Sequence, residues 1–305
     1  MVNIQKVVKL LRITRMHIVL GGFLAFIVGG LLGVAAGGSF NPFTMILFYA
    51  IVLFGDLSTH YSNDYYDVNE DKLIGHRKIF SGRKILVNNQ NLLPLARWTS
   101  LGFLVASISL AVLAVTFGVA GFELLIIAVG ANFLGWFYSA PPLRLVSRGL
   151  GEVTIALAAG FAIPAVGYLA AAGKLDGFFG FFVLPFILYG FMLALSLEAP
   201  DIEVDSRGDK KNVGVRMGER AVFGIILAAS TVAFEVFAFL SWQAQATAIN
   251  FWVFTALAAI PLASGILGYI CVLRKRKMDT FSAVNVATLF IFNFLTIVYL
   301  SFLLL

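Results

Sequence analysis

Nine apolar stretches, each about twenty residues long, leave this chain few folds to choose from. They fall near 17–37, 43–62, 96–117, 119–138, 151–172, 178–199, 220–240, 250–272 and 282–304. Each is long enough to cross a bilayer as a helix, and each is too long and too uniformly apolar for the short alternating segments of a β-barrel. Hydrophobic residues make up 60% of the 305 positions and charged residues only 12%, which no ordinary soluble domain of this size shows. The expected fold is therefore all-α and integral to the membrane: a bundle of about nine transmembrane helices, residues 1–305 forming a single domain. The N-terminal Lys6, Lys9, Arg12 and Arg15 ahead of the first stretch imitate a signal peptide, but its spanning length predicts a retained first helix. Gly29, Gly30 and Gly33, and later Ala156, Ala158, Ala159 and Gly160, read as surfaces for close helix approach in lipid. The lone Cys271 rules out a disulfide within the chain and reads as inert packing.

Charge sets the expected orientation. The net charge of +6 does not indicate nucleic acid, because the basic residues are confined to short loops and no separate basic domain exists. The N-terminus and the loops after helices two, four, six and eight carry nearly all the Lys and Arg, whereas the opposite loops hold little beyond Lys174. The positive-inside rule puts the first set in the cytoplasm of a multi-pass cell-membrane protein, with the C-terminus outside.

Two acidic stretches interrupt this pattern. SNDYYDVNED, Ser62 to Asp71, spaces Asn63, Asp67 and Asp71 at i, i+4, i+8 and adds Asp64, so that on a helix one face is strongly anionic. DIEVDSRGD, Asp201 to Asp209, repeats the spacing with Asp201, Asp205 and Asp209. Both follow even-numbered helices, two and six, and so emerge on the same expected cytoplasmic side. Carboxylate and carboxamide oxygens suit Mg2+, which takes one or two carboxylates and completes its shell with water and substrate phosphates. Asn63, Asp64, Asp67, Asp71, Asp201 and Asp205 are the candidate metal ligands, and a diphosphate is the natural partner. Basic residues are interleaved with them; Lys78, Arg83 and Lys211 are candidates for neutralising the phosphate charge the metal leaves over. The loop after helix two, at roughly thirty residues, is too long for a simple connection and reads as a functional cap, with a second cap after helix six.

A cation-coupled carrier is the competing class. Transporters tend to set their coupling carboxylates at the bilayer midplane. Here Glu235 is the clearest mid-helix charge and reads as hydrogen-bonded to a neighbouring helix, while Asp56, Glu123 and Glu152 fall nearer expected helix ends, and no inverted repeat is visible. The alcohol phosphatidyltransferases, a further class, carry a DGxxAR run that this chain lacks. His17, His60 and His76 receive no role.

The motifs together resemble the UbiA superfamily of intramembrane prenyltransferases over most of the chain. Its N-D-x-x-D-x-x-x-D motif corresponds to Asn63, Asp64, Asp67 and Asp71, and its second motif to Asp201, Glu203 and Asp205. YSAPPLRLVSRGLGE, Tyr138 to Glu152, is similar to the family's Y-[ST]-x-P-P-x-R-L loop, and LRITRMH to its Arg-bearing approach to helix one, which implies Arg15 in the substrate pocket. The resemblance implies a central cavity open to the cytoplasm and to lipid. It further implies Mg2+ and an isoprenyl diphosphate donor held by both acidic motifs, ionisation of the donor to an allylic carbocation, and capture by an electron-rich acceptor. Tyr138 would stabilise the cation through its ring face, with Ser139 and Arg144 on the cation and acceptor side. Within the superfamily, FSGRKILVNNQNL, Phe80 to Leu92, and GLGE, Gly149 to Glu152, resemble the menaquinone-type dihydroxynaphthoate prenyltransferases, whereas LEAPDIEVD stands where those members show N-x-x-R-D-I-E-x-D. The expected acceptor is an aromatic quinone precursor; the alternative is a lipid such as geranylgeranylglyceryl phosphate.

Overall fold

The computed structural model describes residues 12–72, 85–207, 210–243, 248–276 and 279–305, so Lys78, Arg83 and Asp209, and most of the loop read as a cap after helix two, lie outside the described residues. Among the described residues eight helices are long and apolar enough to cross a membrane. They are α1 (Met16–Ala35), α2 (Pro42–Tyr66), α3 (Leu93–Thr116), α5 (Gly151–Ala172), α6 (Gly177–Glu198), α7 (Val213–Gln243), α8 (Phe251–Leu273) and α9 (Asp279–Leu304); between α3 and α5 lies the shorter apolar helix α4 (Phe122–Phe137). Every apolar stretch of the sequence thus falls on one helix, and the ninth, α4, is 16 residues long.

Helix starts on one side of the bundle are capped by side chains. Asn41 accepts hydrogen bonds from the N–H groups of Phe43 and Thr44, with Pro42 in the first turn, and Asp176 does the same for Phe178 and Phe179. Asn250 accepts from Trp252 at the head of α8. Each cap satisfies donors that lipid could not, and is worth about 1 kcal/mol.

The helices are ordered around one cavity. α1, α2, α4, α5, α6 and α9 supply its walls, with Ser107 reaching in from α3, while α7 and α8 pack outside α6 and α9. The closest approach is α1 against α5: a Cβ on Gly29 would lie 2.0 Å from the carbonyl oxygen of Pro164, and one on Gly167 only 2.1 Å from that of Phe26. Without a hydrophobic force between helices in lipid, such backbone proximity is what lets dispersion hold them. On the far side, Phe182, Phe237, Phe254 and Phe292 are fully buried and form the aromatic core between α6, α7, α8 and α9.

Two expectations need correction. Glu235 is exposed on the outside of α7 and does not reach across to another helix. Asp56 is not near a helix end, because α2 continues to Tyr66 and carries Asp56 well inside its span. Aromatic packing holds the extra turn: Tyr61 meets Phe103 edge-on at 5.7 Å, Tyr66 meets Trp136 at 6.1 Å, and Arg97 lies over the Tyr65 ring.

Candidate active site

The end of α2 turns the first acidic stretch inward. Asn63 and Asp64 lie in its last turn, Asp67 caps it with its N–H bonded to the Asn63 carbonyl, and a short helical turn, Val68–Asp71, continues to Asp71, whose N–H bonds to the Asp67 carbonyl. The hydrogen-bond register is therefore nearly unbroken, which keeps Asn63, Asp67 and Asp71 on one face as the spacing predicts. The second stretch follows α6 directly, with Asp201 in a 3-10 turn and Asp205 ending the short helix Ile202–Asp205.

Both stretches open onto a cavity of about 570 Å³. Arg15, Asn63, Asp64, Asp67, Asp71, Tyr138, Asp201 and Asp205 all line it, so all six candidate metal ligands are brought together with two of the candidate substrate residues. Deeper in, the walls turn apolar with Ile163, Val166, Phe186 and Phe290. A π-helical turn at Ala158–Ala162 interrupts α5 and sets small side chains along one wall. Such turns recur at functional sites.

Two cations stand among the carboxylates. Arg15 Nη2 donates to Asp64 Oδ1 at 2.5 Å. Lys210 Nζ lies 3.6 Å from Asp205 and 4.0 Å from Asp67, so one ammonium spans the two acidic stretches. Asn212 is fully buried and fixes the intervening loop: its Nδ2 donates to Asp205 Oδ2 at 2.9 Å, and its Oδ1 accepts from the Val215 N–H, capping α7. Arg15 and Arg144 both hold left-handed backbone conformations, φ 48° and 42°. That costs each about 1 kcal/mol or more, which persists where the surroundings demand it and clusters at active sites.

The electrostatics of the mouth are strained in favour of a cation. Burial pushes the Asp67 carboxyl up to about 6 against the pull of Lys210. Asp71 rises to about 7 through burial and then the charges of Asp64 and Asp67. Asp205 is also raised, first by burial. Burial works against the charge on Lys210, yet Asp205, Asp67, Glu70 and Asp71 hold it above its ordinary value.

The remaining sequence candidates divide. Ser139 is buried and its hydroxyl donates to Asn63 Oδ1, which orients that carboxamide toward the cavity. Arg144 does not line the cavity; it donates to Glu70 just outside it. Lys211 is exposed and its neighbour Lys210 occupies the position foreseen for it. Glu203 faces outward and pairs with Arg207 at 2.7 Å. The sequence reading missed Lys210, Asn212, Glu152 and Glu198. Glu152 is buried and accepts from the Val213 N–H at 2.5 Å, and Tyr138 donates to Glu198 at 3.5 Å. A basic pair at 210–211 was visible; which of the two meets the carboxylates depends on contacts between segments far apart in the chain.

The residues fit Mg2+. Asp67 Oδ1 is buried with no hydrogen-bond partner, and the neighbouring carboxyls resist ionisation until positive charge arrives. Among the described residues no three His, Cys, Asp or Glu side chains form a ready-made metal cage.

Membrane-length helices around an apolar cavity, closed at one mouth by paired carboxylates and cations, define a multi-pass integral membrane protein with a charged site at the end of its bundle. The UbiA prenyltransferase family matches the chain over residues 23–302, and the chain belongs to that family. Among solved structures, a UbiA homologue from Archaeoglobus fulgidus bound to DMAPP and Mg2+ is 20% identical with a TM-score of 0.64, covering 95% of this chain and 99% of its own. The apo UbiA homologue from Aeropyrum pernix K1 is 16% identical, TM-score 0.69, covering 91% and 97%. A digeranylgeranylglyceryl phosphate synthase is 16% identical, TM-score 0.67, covering 97% and 98%. None of the curated proteins matches.

Proposed function

We propose that this single-domain protein transfers an isoprenyl group from an isoprenyl diphosphate to an aromatic quinone precursor within the membrane, with Mg2+ and with its active site facing the cytoplasm. The observation that carries this reading is the ammonium of Lys210 shared between Asp67 and Asp205 at the mouth of an apolar cavity. A diphosphate with a long hydrocarbon tail is the ligand that needs both halves. The A. fulgidus homologue bound to DMAPP and Mg2+ supports the choice of donor and ion.

Asn63, Asp64, Asp67 and Asp71 on one side and Asp201 and Asp205 on the other would hold Mg2+. When bound, the ion offsets the negative charge that gathers on the departing diphosphate. Arg15 and Lys210 donate to the same oxygens, and their charge in a site of low dielectric favours cleavage of the allylic C–O bond. Tyr138, on the cavity wall, presents its ring to the carbocation. The apolar wall below excludes water, which would otherwise capture that cation. Arg144 and Ser139 act one step back: Ser139 orients Asn63, and Arg144 anchors the acidic turn through Glu70. The basic loops that flank both acidic stretches support the cytoplasmic orientation.

The GLGE turn supports an acceptor of the dihydroxynaphthoate kind, as in menaquinone-type enzymes. Purified protein with Mg2+ should convert radiolabelled isoprenyl diphosphates and a hydroxynaphthoate or hydroxybenzoate into prenylated product. Product formed solely with a glyceryl phosphate lipid would refute the aromatic acceptor.

A further inference from the structure

Polar residues continue down the cavity wall below the diphosphate motif, where a tail-binding tunnel has no use for them. Asp56 and His60 lie on α2 at i and i+4, and with Asn63 and Asp67 at i+7 and i+11 they form one stripe facing the cavity. By helix rise, His60 sits about 4.5 Å below Asn63 and Asp56 about 10 Å below it. His60 Nε2 is 3.3 Å from Asp56 Oδ1, and His60 is only 7% exposed.

An ionisable pair inside a membrane span is costly and usually earns retention by joining helices or by function. This pair joins two residues of one helix, so it ties no helices together. Beside it is a second unexplained group. Asn132 on α4 is 5% exposed; its Nδ2 donates to Ser107 and to the Ala128 carbonyl, while its Oδ1 is buried without a partner. That oxygen faces Gly55, the residue before Asp56, where a Cβ would come within 3.3 Å of it. A buried acceptor with no donor, lining the same cavity as the His–Asp pair and packed against the residue before Asp56, is complementary to a ligand hydroxyl.

We propose that His60, paired with Asp56, is the proton acceptor for a hydroxyl-bearing aromatic substrate that docks with its hydroxyl where Asp56, His60 and Asn132 line the cavity. The inference rests on the aromatic acceptor proposed above. The imidazole takes the hydroxyl proton, and the oxygen's electron pair enters the ring. The C–O bond to diphosphate breaks, the diphosphate leaving with that bonding pair, and the ring carbon then bonds to the allylic cation. The ring C–H proton returns to the oxygen and restores aromaticity. The proton on His60, held beside Asp56, is the one released to water at the mouth.

A series of ring-substituted naphthols of differing hydroxyl acidity, restricted to those the wild-type protein prenylates, tests this. Removing a general base costs on the order of 100-fold when the substrate must be deprotonated. For H60Q, transfer should fall about 100-fold with naphthols that are protonated at the assay pH, and by no more than about threefold with those already ionised. For D56N the first loss should be about tenfold, since the imidazole remains but loses the carboxylate charge that stabilises its protonated form. Calorimetric affinity of both variants for geranyl diphosphate with Mg2+ should stay within about twofold of wild type, which also reports that they fold. A loss of equal size across the naphthols, no loss at all, or a fall in donor affinity matching the fall in transfer would overturn the assignment. Wild-type protein that prenylates no naphthol or other aromatic acceptor would overturn the aromatic reading, and this inference with it.

Discussion

Lys210 Nζ stands 4.0 Å from an Asp67 carboxylate oxygen, linking residues that the chain separates by four helices, α3 to α6. The same ammonium is 3.6 Å from Asp205. The site is thus built by convergence, with a cation already located where two anionic segments meet. Because each segment is incomplete without the other, damage to either should disable the whole.

Asp67→Ala and Asp205→Ala should each lower prenyl transfer by at least about 100-fold, the scale on which removal of a preorganised charged group acts. Product counted from labelled donor, alongside size-exclusion profiles of the variants in detergent, checks this. Both should remain folded, because each substitution removes a carboxyl that burial already disfavours.

Lys210→Met should weaken isoprenyl diphosphate binding by about tenfold or more, equivalent to about 1.4 kcal/mol. Lys211→Met should leave it within about twofold, since Lys211 is exposed and outside the cavity. Equilibrium titration of donor in the presence of Mg2+ separates the two neighbours.

The mouth should respond to pH in two opposite ways. Asp67 and Asp71 titrate at about 6 and about 7 in the fold, against an ordinary value of 3.8. For groups raised on folding, the stability they contribute is full below about pH 4 and is lost as pH climbs through 6 and 7. Without metal, the melting temperature should therefore fall over that range. Metal ligation needs the ionised carboxyls, so apparent Mg2+ affinity should rise between pH 6 and 8, with protons released on binding. Thermal melts with and without Mg2+ across this interval read both effects.

Gly167→Ala should lower stability by about 1–3 kcal/mol, the usual cost of overpacking, because its Cβ would meet the Phe26 carbonyl oxygen at 2.1 Å. Thermal denaturation in detergent is the check. Gly130→Ala, which meets nothing within 4 Å, is the neutral comparison.

The helical framework was legible because bilayer thickness imposes one length on every span, and each apolar stretch became a helix. The acidic face was legible for a similar reason: a spacing of four survives wherever helical hydrogen bonding continues, as it does from Asn63 through Asp71. What failed was anything decided between segments. Asp56 looked terminal because polar residues after Leu57 suggest a helix end, whereas Tyr61, Tyr65 and Tyr66 find aromatic and cationic neighbours that keep the helix going. Lys210 and Lys211 are identical in type and adjacent, and their order does not say which one meets Asp67 and Asp205 across the cavity mouth. Glu235 looked like an interhelical contact because it is charged and mid-helix, but hydropathy does not say which side of α7 meets a neighbour. Arg144 was foreseen near substrate, yet Glu70, within the acidic stretch itself, claims it.

Calorimetric titration of a non-ionisable isoprenyl diphosphate analogue into wild type, Asp67→Asn and Asp205→Asn, with Mg2+ and with chelator, tests whether both acidic segments grip one magnesium-bound diphosphate. Binding should require Mg2+ in wild type and weaken by about 30-fold or more in each variant, about 2 kcal/mol apiece. Binding that persists in chelator, or that one of the two variants leaves unchanged, would contradict it.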